Sequence, residues 1–438
     1  MNLFQWQLPV LCSSLVLAVA GHAQTAAGPR TITFTEAVAK SLDASPRVKA
    51  AEDDLKAQIE TKRGSFANLG PRVSAEYNDV TFNAKQAFNF GGQEIVLRDD
   101  HIKTGSVIVA QPITGLWALT EKARFDGVMA DIKTHGLELA KAEASYGTAE
   151  TYLRAGLAER LHEIARASIT AAEGQLHDGQ ALERAGRINR GDRLRLDLAL
   201  SEARAKAAQA KAAMDIAYAA LREAMAIPHE TQVKVELAVP LPPPEGSMTV
   251  DQAMATALTK RLDGEQARLG VSVAEFGKEL AYTQFTPSVN VFWKRDRDFA
   301  DTSKDDTTSV GIQLKWDLWN NGAGVFAVRE AVAQTHRAEE QRRGLEQQIR
   351  MDVYQAHANL LAARESLLLA DTAVSQAEEA YRLEKARFLN GSRSATDLVF
   401  AETAQAGAKG RLVSARTDVL LWFLRLQKAS GGTQPTLL

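Results

Sequence analysis

The chain contains two copies of one arrangement of elements, and this internal repetition constrains the fold more than any other feature. The segment TFTEAV at residues 33–38 returns as TVDQAM at residues 249–254. Pro71 and Pro287 correspond at the same spacing of 216 residues. Each copy continues with an alternating apolar stretch, a very long alanine-rich stretch, a break containing glycine and a second helical stretch. Because repeats define the architecture before any local assignment, we predict a duplicated unit of helix, two strands and two helices.

Composition sets broad limits on the function. The 438 residues suffice for two or three ordinary domains. The formal net charge is −2, so the chain lacks the basic field that holds nucleic acid. Apolar residues make up 45% of the chain, which excludes general disorder. We therefore expect a folded protein without a nucleic-acid partner.

The first apolar segment, residues 8–20, predicts a secretory signal. It is shorter than the roughly 20 apolar residues of a membrane-spanning helix, and it fits the core of a signal peptide. We expect residues 1–23 to be removed, which also removes Cys12, the one cysteine, and leaves no disulfide. Two alternatives stay open: a buried N-terminal helix, and lipid attachment at Cys12, although the preceding Leu11 is larger than such sites need.

The clearest strand pattern lies in the second half. Over residues 308–318, apolar side chains and one threonine occupy the even positions, and small, polar or charged residues occupy the odd positions. This alternation predicts a strand with one apolar face, about as long as a tilted membrane-spanning strand. Trp316 and Trp319 lie near one end, where an aromatic girdle would be. Residues 288–294 form the predicted partner strand.

The first half predicts a similar hairpin, from about residue 72 to residue 112, with a long loop at residues 82–101. Either hairpin could instead be amphipathic and packed on a core in water. Two hairpins supply four strands, too few to close a barrel, and open edges in a membrane would leave backbone groups unsatisfied. Membrane strands would therefore require several chains in one barrel, and three chains would give twelve strands.

The alanine-rich stretches predict very long coiled-coil helices. No proline interrupts residues 113–226 or 288–432. A strict seven-residue repeat imposes a left-handed supercoil, and residues 117–184 would span about 100 Å at about 1.5 Å per residue. A coiled-coil scaffold is the alternative interpretation. The second copy repeats large residues at Val353, Leu360, Leu367, Val374, Tyr381 and Phe388. The first copy does so at Ile132, Leu139, Tyr146 and Leu153.

Each long helical stretch ends at a break of the same design. GRINRGD at residues 186–192 corresponds to GSRSATD at residues 391–397. Gly186 and Gly391 suit the ends of helices, where a left-handed residue is favoured. The breaks therefore predict two helical turns, at residues 185–192 and 390–397.

The residues that follow each glycine suit the start of the next helix. Asn189 in the first break, and Ser394 or Thr396 in the second, could cap that helix. Asp192 and Asp397 then fall in its first turn, where the helix dipole favours an acid. Ordinary capping accounts for these residues without any further role.

These patterns divide the chain into five parts. The parts are a signal peptide (1–23), a first repeat (24–226), a Pro-rich linker (227–247), a second repeat (248–430) and a loose C-terminal tail (431–438). The Pro-rich linker is expected to be extended and non-helical.

Motifs for catalysis or cofactor binding are missing from the sequence. It contains no HExxH, GxGxxG, GxxxxGK[ST] or GxSxG. His162 and His357 lie in the helical stretches, and we interpret both as surface or seam residues. We expect no enzyme activity, no cofactor and no metal site.

Taken together, the motifs resemble the TolC family of outer-membrane efflux proteins, over nearly the whole mature chain. The similarity rests on the duplicated entry motif, on Pro71 and Pro287 at the start of each hairpin, and on WNNG at residues 319–322 before a long helix. It also rests on the two breaks, each with a glycine, five residues and an aspartate.

This resemblance implies a mixed α and β membrane protein and a homotrimer. Each subunit would add four strands to a twelve-stranded barrel in the lipid of the bacterial outer membrane, and its helices to a long antiparallel coiled-coil barrel in the periplasm. The helical tips would dock with a periplasmic adaptor protein and an inner-membrane pump, and the duct would conduct substrate passively. The alternative is a soluble periplasmic coiled-coil scaffold.

The resemblance also implies roles at the tips. In some members, two acids three residues apart line the closed tip; Asp397 matches the first, and Phe400 stands at the second. Replacing Asp397 with alanine is then expected to raise the pore conductance. Asp192, Arg193 and Arg195 could form a charge network across the tip. The turn residues expected to dock the adaptor are Gly186, Gly191, Gly391 and Ser394.

The cargo is the least constrained property. Small-molecule efflux is favoured over protein secretion, and the sequence has no Met-rich or His-rich stretch that would indicate metal cargo.

Overall fold

The computed structural model describes residues 30–236, 240–243, 248–299 and 306–437. The predicted signal peptide at residues 1–23 lies outside these ranges, as does part of the predicted linker.

In the described residues, eight α-helices form two equivalent sets of four, and the predicted duplication is confirmed. In each set, two short helices precede the strands, and a very long helix and a return helix follow them. The first long helix has 70 residues and the second has 67, so each is about 100 Å long at about 1.5 Å per residue. The helices are α1 (Phe34–Ala44), α2 (Pro46–Ala67), α3 (Gly115–Arg184), α4 (Arg190–Ala224), α5 (Val250–Lys260), α6 (Leu262–Tyr282), α7 (Ala323–Leu389) and α8 (Ala395–Ala429).

Of the eight strands within the described ranges, four form one antiparallel sheet. The order in this sheet is β2-β5-β7-β8, so β2 and β8 are its outer strands. The register sets Val109 opposite both Val73 and Trp293, and Trp293 opposite Val310. Because paired residues share a face, these four side chains form an apolar row across the sheet. The strands are β1 (Arg30–Ile32), β2 (Arg72–Thr81), β3 (Gln86–Phe90), β4 (Gln93–Arg98), β5 (His101–Pro112), β6 (Val233–Val235), β7 (Ser288–Asp298) and β8 (Thr307–Lys315).

The strands differ from the predicted ones at both ends. β8 ends at Lys315 and not at the predicted residue 318, so Trp316 lies outside the strand. β7 continues four residues beyond residue 294, because Asp296 pairs with Thr307 and its carboxylate accepts a hydrogen bond from Ser106 at 2.5 Å. The expected loop at residues 82–101 contains the hairpin β3–β4. Its turn holds Gly91 and Gly92, both with positive φ, and a Gly-Gly pair between two strand segments is a hairpin signal.

The long helices pack side by side in a fixed order. α3 packs against α4 and α8, and α8 packs against α7, so α4 and α7 lie at the two edges of this layer. Nearer the sheet, α2 and α6 take the places of α4 and α8. Val353 and Leu360, two members of the predicted heptad, are buried in a cluster with Val419 of α8. The heptad therefore forms the contact between α7 and its return helix.

A small parallel sheet ties the predicted linker to the start of the chain. β1 pairs with β6, and the Tyr152 hydroxyl of α3 donates to the Ile32 carbonyl at 3.0 Å and accepts from the Glu236 amide at 2.9 Å. Burial raises the pKa of Tyr152, which keeps its hydroxyl protonated. The first part of the predicted linker is thus anchored by strand pairing at Val233–Val235.

The segment after α8 corrects the expectation of a loose tail at residues 431–438. The Gln427 side-chain amide donates to the Thr436 carbonyl at 3.0 Å, and its oxygen accepts from the Thr436 amide at 3.2 Å. The Tyr146 hydroxyl donates to the Gln434 carbonyl at 3.3 Å. These hydrogen bonds fold the segment back onto α8 and α3, so its described residues are docked.

Candidate functional site

The two helical turns at the far end of the long helices form the candidate site. Gly186 and Gly391 adopt φ of 69° and 72°, the left-handed region that glycine enters most easily. In the first turn, the Gly186 amide donates to the Glu183 carbonyl at 2.9 Å. In the second, the Gly391 amide donates to the Phe388 carbonyl at 2.9 Å. Both turns therefore end their helices with the same backbone geometry.

Side-chain caps then start the two return helices. The Asn189 carboxamide oxygen accepts from the Asp192 amide at 2.9 Å. Ser394, rather than Thr396, caps α8: its hydroxyl accepts from the Asp397 amide at 3.3 Å, and the Asp397 carboxylate accepts from the Ser394 amide at 3.4 Å. This reciprocal arrangement is a capping box. The Asp397 side chain thus completes the cap of α8, whereas Asp192 lies in the first turn of α4 and the cap there is Asn189.

Gly191 has a role different from that of the other tip glycines. It lies in the first turn of α4, and a Cβ there would be 3.0 Å from the Asn189 carboxamide oxygen. Glycine at this position leaves room for the Asn189 cap.

Charged side chains at the turns pair within their own repeat. Arg193 contacts Glu183 at 2.9 Å, and Arg195 contacts Asp192 at 3.4 Å. In the described part of the chain, the ion-pair partner of Asp397 is Arg393, at 3.9 Å. The structure therefore pairs Asp192 with Arg195 and places Arg193 in a second pair with Glu183, while Asp397 belongs to a third pair in the other turn.

Two contacts join the turns to each other. The Arg187 guanidinium donates to the Asn390 carbonyl at 3.2 Å. Beneath it, Leu196 of the first repeat is buried in one cluster with Phe388 and Leu398 of the second. The two turns consequently form one continuous surface.

Large apolar side chains are exposed beside the turns. Phe400, one helical turn after Asp397, is 76% exposed. Leu194 and Leu198 of α4 are also exposed. Sequence reasoning identified Phe400 by its position but missed the two leucines. Their spacing of four residues on one helical face was the available signal.

A second charged group lies at the junction of α5 and α6, against α7. Arg261 donates to the Asp263 carboxylate at 2.7 Å and to the Asp352 carboxylate at 2.9 Å. Burial raises the pKa of Asp263, but the hydrogen bonds and charge of Arg261 outweigh it and hold that pKa below its usual value. Arg261 therefore links the start of α6 to α7 through charged hydrogen bonds.

Two features are absent from the described residues. Those residues hold no group of three or more side chains suited to a metal ion. Within the same ranges, no helix combines the length and apolar character that spanning a bilayer requires.

The arrangement defines a class of protein. A four-stranded sheet with an apolar row runs directly into helices of about 100 Å, whose far ends form a paired turn surface. A sheet of this kind, continuous with very long helices, is the plan of one subunit of an outer-membrane channel with a periplasmic extension.

Comparison with known proteins gives the same class. Residues 253–432 match the family model described as outer membrane efflux protein. The alkaline protease secretion protein AprF of Pseudomonas aeruginosa is 24% identical over 410 residues, which cover 89% of this chain and 82% of AprF.

Solved structures share the fold. The outer membrane protein VceC from Vibrio cholerae aligns with a TM-score of 0.80 at 16% identity, over 91% of this chain and 96% of VceC. The Campylobacter jejuni CmeC outer membrane channel aligns with a TM-score of 0.78 at 14% identity, over 92% of this chain and 86% of CmeC.

The chain thus matches the outer membrane efflux protein family over residues 253–432 and has the fold of solved outer-membrane channels. It is an efflux or secretion channel of the bacterial outer membrane, with helices that extend into the periplasm. Members of this family work in tripartite systems with an adaptor and an inner-membrane pump.

Proposed function

We propose that three copies of this chain form one continuous export duct. The observation that carries the proposal is that the chain has open edges on both sides, in the sheet and in the helical layer. β2 and β8 are the outer strands of the sheet. In a bilayer, their unpaired backbone groups would each cost several kcal/mol, roughly, unless another chain pairs with them. Three chains supply twelve strands, an even number within the range of known barrels.

The edge helices support the same assembly. On α7, Tyr354, Leu361 and Leu368 recur at intervals of seven. On α4, Leu194 and Leu198 are followed, at coiled-coil spacing, by small residues on the same face of the helix. These five large side chains are between 49% and 65% exposed. Because a heptad stripe on a helix buries itself against a partner helix, we infer that α7 of one copy packs against α4 of the next.

This assembly is tested by native mass spectrometry of the detergent-solubilised protein and by a gel that compares heated with unheated samples. We expect a trimer that resists the gel conditions until it is heated. Leu361→Glu places a charge in the proposed contact and is expected to yield monomer. Leu369→Glu is the matched control, since Leu369 is also exposed but lies about a quarter turn away at about 100° per residue. A monomeric wild type, or equal trimer in both variants, would contradict the proposal.

At the turns, we propose that Asp397 contributes to a constriction. Its side chain is 44% exposed and has one loose ion-pair partner, so three copies around an axis would place three carboxylates near one another. Phe400 would add an apolar ring one helical turn further along the duct. The constriction would restrict ion flow until the duct is engaged.

The turn surface is also the proposed docking site for the adaptor, with Gly186, Gly191, Gly391 and Ser394 shaping its backbone. The turns are the parts of the long helices farthest from the sheet, so a partner coming from the inner membrane meets them first. We further propose that residues 1–23 direct the chain across the inner membrane and are then removed.

The cargo is assigned by the pump that the duct serves. The name of AprF concerns secretion of a protease, so we propose protein export as a second candidate beside small-molecule efflux. Crosslinking in cells, followed by solubilisation and mass spectrometry, identifies the pump recovered with the duct. A proton-driven pump would support small-molecule efflux, and an ATP-driven one would support peptide or protein export.

A further inference from the structure

We infer that the first helical turn carries a cationic docking surface, formed by Arg184, Arg187 and Arg190, for an acidic end of the periplasmic adaptor. This inference rests on the proposed function, because it specifies the chemistry of the partner at the same turn surface. All three side chains belong to exposed residues at the end of the duct.

The second turn shows that these arginines are not required by the backbone. Both turns have the same glycine conformation and the same type of hydrogen bonds, including Arg187 amide to Leu182 carbonyl at 2.9 Å and Ser392 amide to Arg387 carbonyl at 3.0 Å. The corresponding pairs are Arg184 and Leu389, Arg187 and Ser392, and Arg190 and Ala395.

The carboxylates nearest the first turn already have partners. Glu183 pairs with Arg193, and Asp192 pairs with Arg195. Within the part of the chain that the structure describes, Arg184, Arg187 and Arg190 make no ion pair. Arg184 reaches the Gln180 carbonyl at 3.3 Å, and Arg187 reaches Asn390. The first turn is thus left with unbalanced positive charge.

Arg190 is the most informative of the three. It is the first residue of α4, where the positive end of the helix dipole disfavours a cation. Ala395 starts α8 at the matching position. An exposed arginine there opposes the local electrostatics and makes no compensating ion pair in the described structure, which indicates a use outside the chain.

The chemistry of the partner follows from the guanidinium group. Arginine presents planar, paired donors that match carboxylates. Residues 182–197 hold five arginines and three acids, whereas the whole chain has a net charge of −2. This local excess would attract an acidic surface and speed its encounter, with strong dependence on salt. The adaptor should therefore carry aspartate or glutamate at the end that meets this turn.

The test uses the full-length chain with Arg184→Leu and Arg190→Ala together, which places the residues of the second turn in the first. The matched control is Arg166→Ala, an exposed arginine of α3 that lies 18 residues before Arg184. Each form is crosslinked in cells, and the adaptor recovered with the duct is identified and quantified by mass spectrometry. Oligomeric state and Tm are measured for each form.

We expect adaptor recovery to fall at least five-fold in the double variant, with wild-type recovery in Arg166→Ala and an unchanged trimer and Tm in both. Reversing the charge, as Arg190→Glu, should be rescued when acids at the adaptor end are changed to lysine. Binding of the purified adaptor should weaken as salt rises.

Three outcomes would overturn the inference, and they are distinguishable. If wild type and double variant recover the adaptor equally, the arginines do not dock it and the proposed function stands. If wild type recovers no adaptor, both the inference and the proposed partner fail. If the double variant recovers the adaptor as wild type does but no longer binds vesicles of anionic phospholipid, the arginines bind lipid and not the adaptor.

Discussion

The guanidinium of Arg187 donates a hydrogen bond to the main-chain carbonyl of Asn390, and the two residues belong to equivalent turns of different repeats. The bond joins the ends of two helical pairs, each about 100 Å long, to form one surface. Its acceptor is a backbone carbonyl left free by the end of α7, a group that helix termini leave without an internal partner. Four further predictions follow from the geometry around this surface and from the core.

Gly391→Ala is expected to lower the stability by about 1–2 kcal/mol, because alanine is strained at a φ of 72°. The space is open enough for a methyl group, since the nearest atom would be Arg187 Nε at 3.9 Å, so strain and not collision is the cause. Thermal unfolding measures the effect. Gly147→Ala is the control: it lies inside α3 with nothing within 4 Å, and alanine there should stabilise by up to about 1 kcal/mol. Equal effects in both variants would contradict the prediction.

Tyr152→Phe is expected to lower the stability by about 1–3 kcal/mol, because the Ile32 carbonyl and the Glu236 amide would lose a buried partner. Chemical denaturation, with the slope compared between variants, measures the loss. Tyr282→Phe removes a hydroxyl from a 44% exposed side chain and should change the stability little. If Tyr152→Phe lowers the stability as little as Tyr282→Phe does, water replaces the Tyr152 hydroxyl as the hydrogen-bond partner.

The Arg261 group should make part of the stability depend on pH. The pKa of Asp263 is held low in the folded chain, so its contribution is present above the unfolded pKa of about 3.9 and is lost as the pH falls through the folded value. The Asp263→Asn variant should therefore have a lower Tm than wild type at pH 7, and this difference in Tm should be smaller at about pH 3. Asp53→Asn, at an exposed surface pair, is the control. A constant Tm difference from pH 7 to pH 3 would exclude this linkage.

Asp397→Ala is expected to raise the conductance of the resting channel in planar bilayers several-fold, because removal of the proposed ring of carboxylates widens the constriction and removes its charge. Asp192→Ala is the matched control, since Asp192 holds the equivalent first-turn position of α4 but is 13% exposed and paired with Arg195. An unchanged closed-state conductance in Asp397→Ala, or an equal rise in Asp192→Ala, would remove Asp397 as a gate residue.

Periodicity made much of the fold predictable. The heptad containing Val353 and Leu360 located a buried helical seam, and the alternation around Val310 located a strand, because each pattern has a period that suits one secondary structure. Gly186 and Gly391 were predictable as helix ends, since a left-handed residue at that position is most easily glycine.

Other features depended on contacts between distant segments. The docking of residues 431–437 requires Tyr146, nearly 300 residues earlier in the chain, and no local pattern encodes it. The pairing of β1 with β6 has the same character, because three-residue strands carry almost no periodic signal. At the candidate site, the sequence placed Asp192 and Asp397 in the first turns of the return helices. The absence of ion pairs to Arg184 and Arg190 among the described residues, in contrast, depends on where the nearby carboxylates lie.

The two turns have one backbone geometry and different side chains, and this has a consequence for the symmetry of the proposed trimer. Its end would display six turns that are nearly equivalent in shape, but only every second one would be strongly basic. The surface would approach sixfold symmetry in outline and keep threefold symmetry in charge. Identical subunits of a partner could then bind the three basic turns by electrostatic attraction and the other three turns by shape complementarity alone. The same contact geometry would in this way have two different affinities.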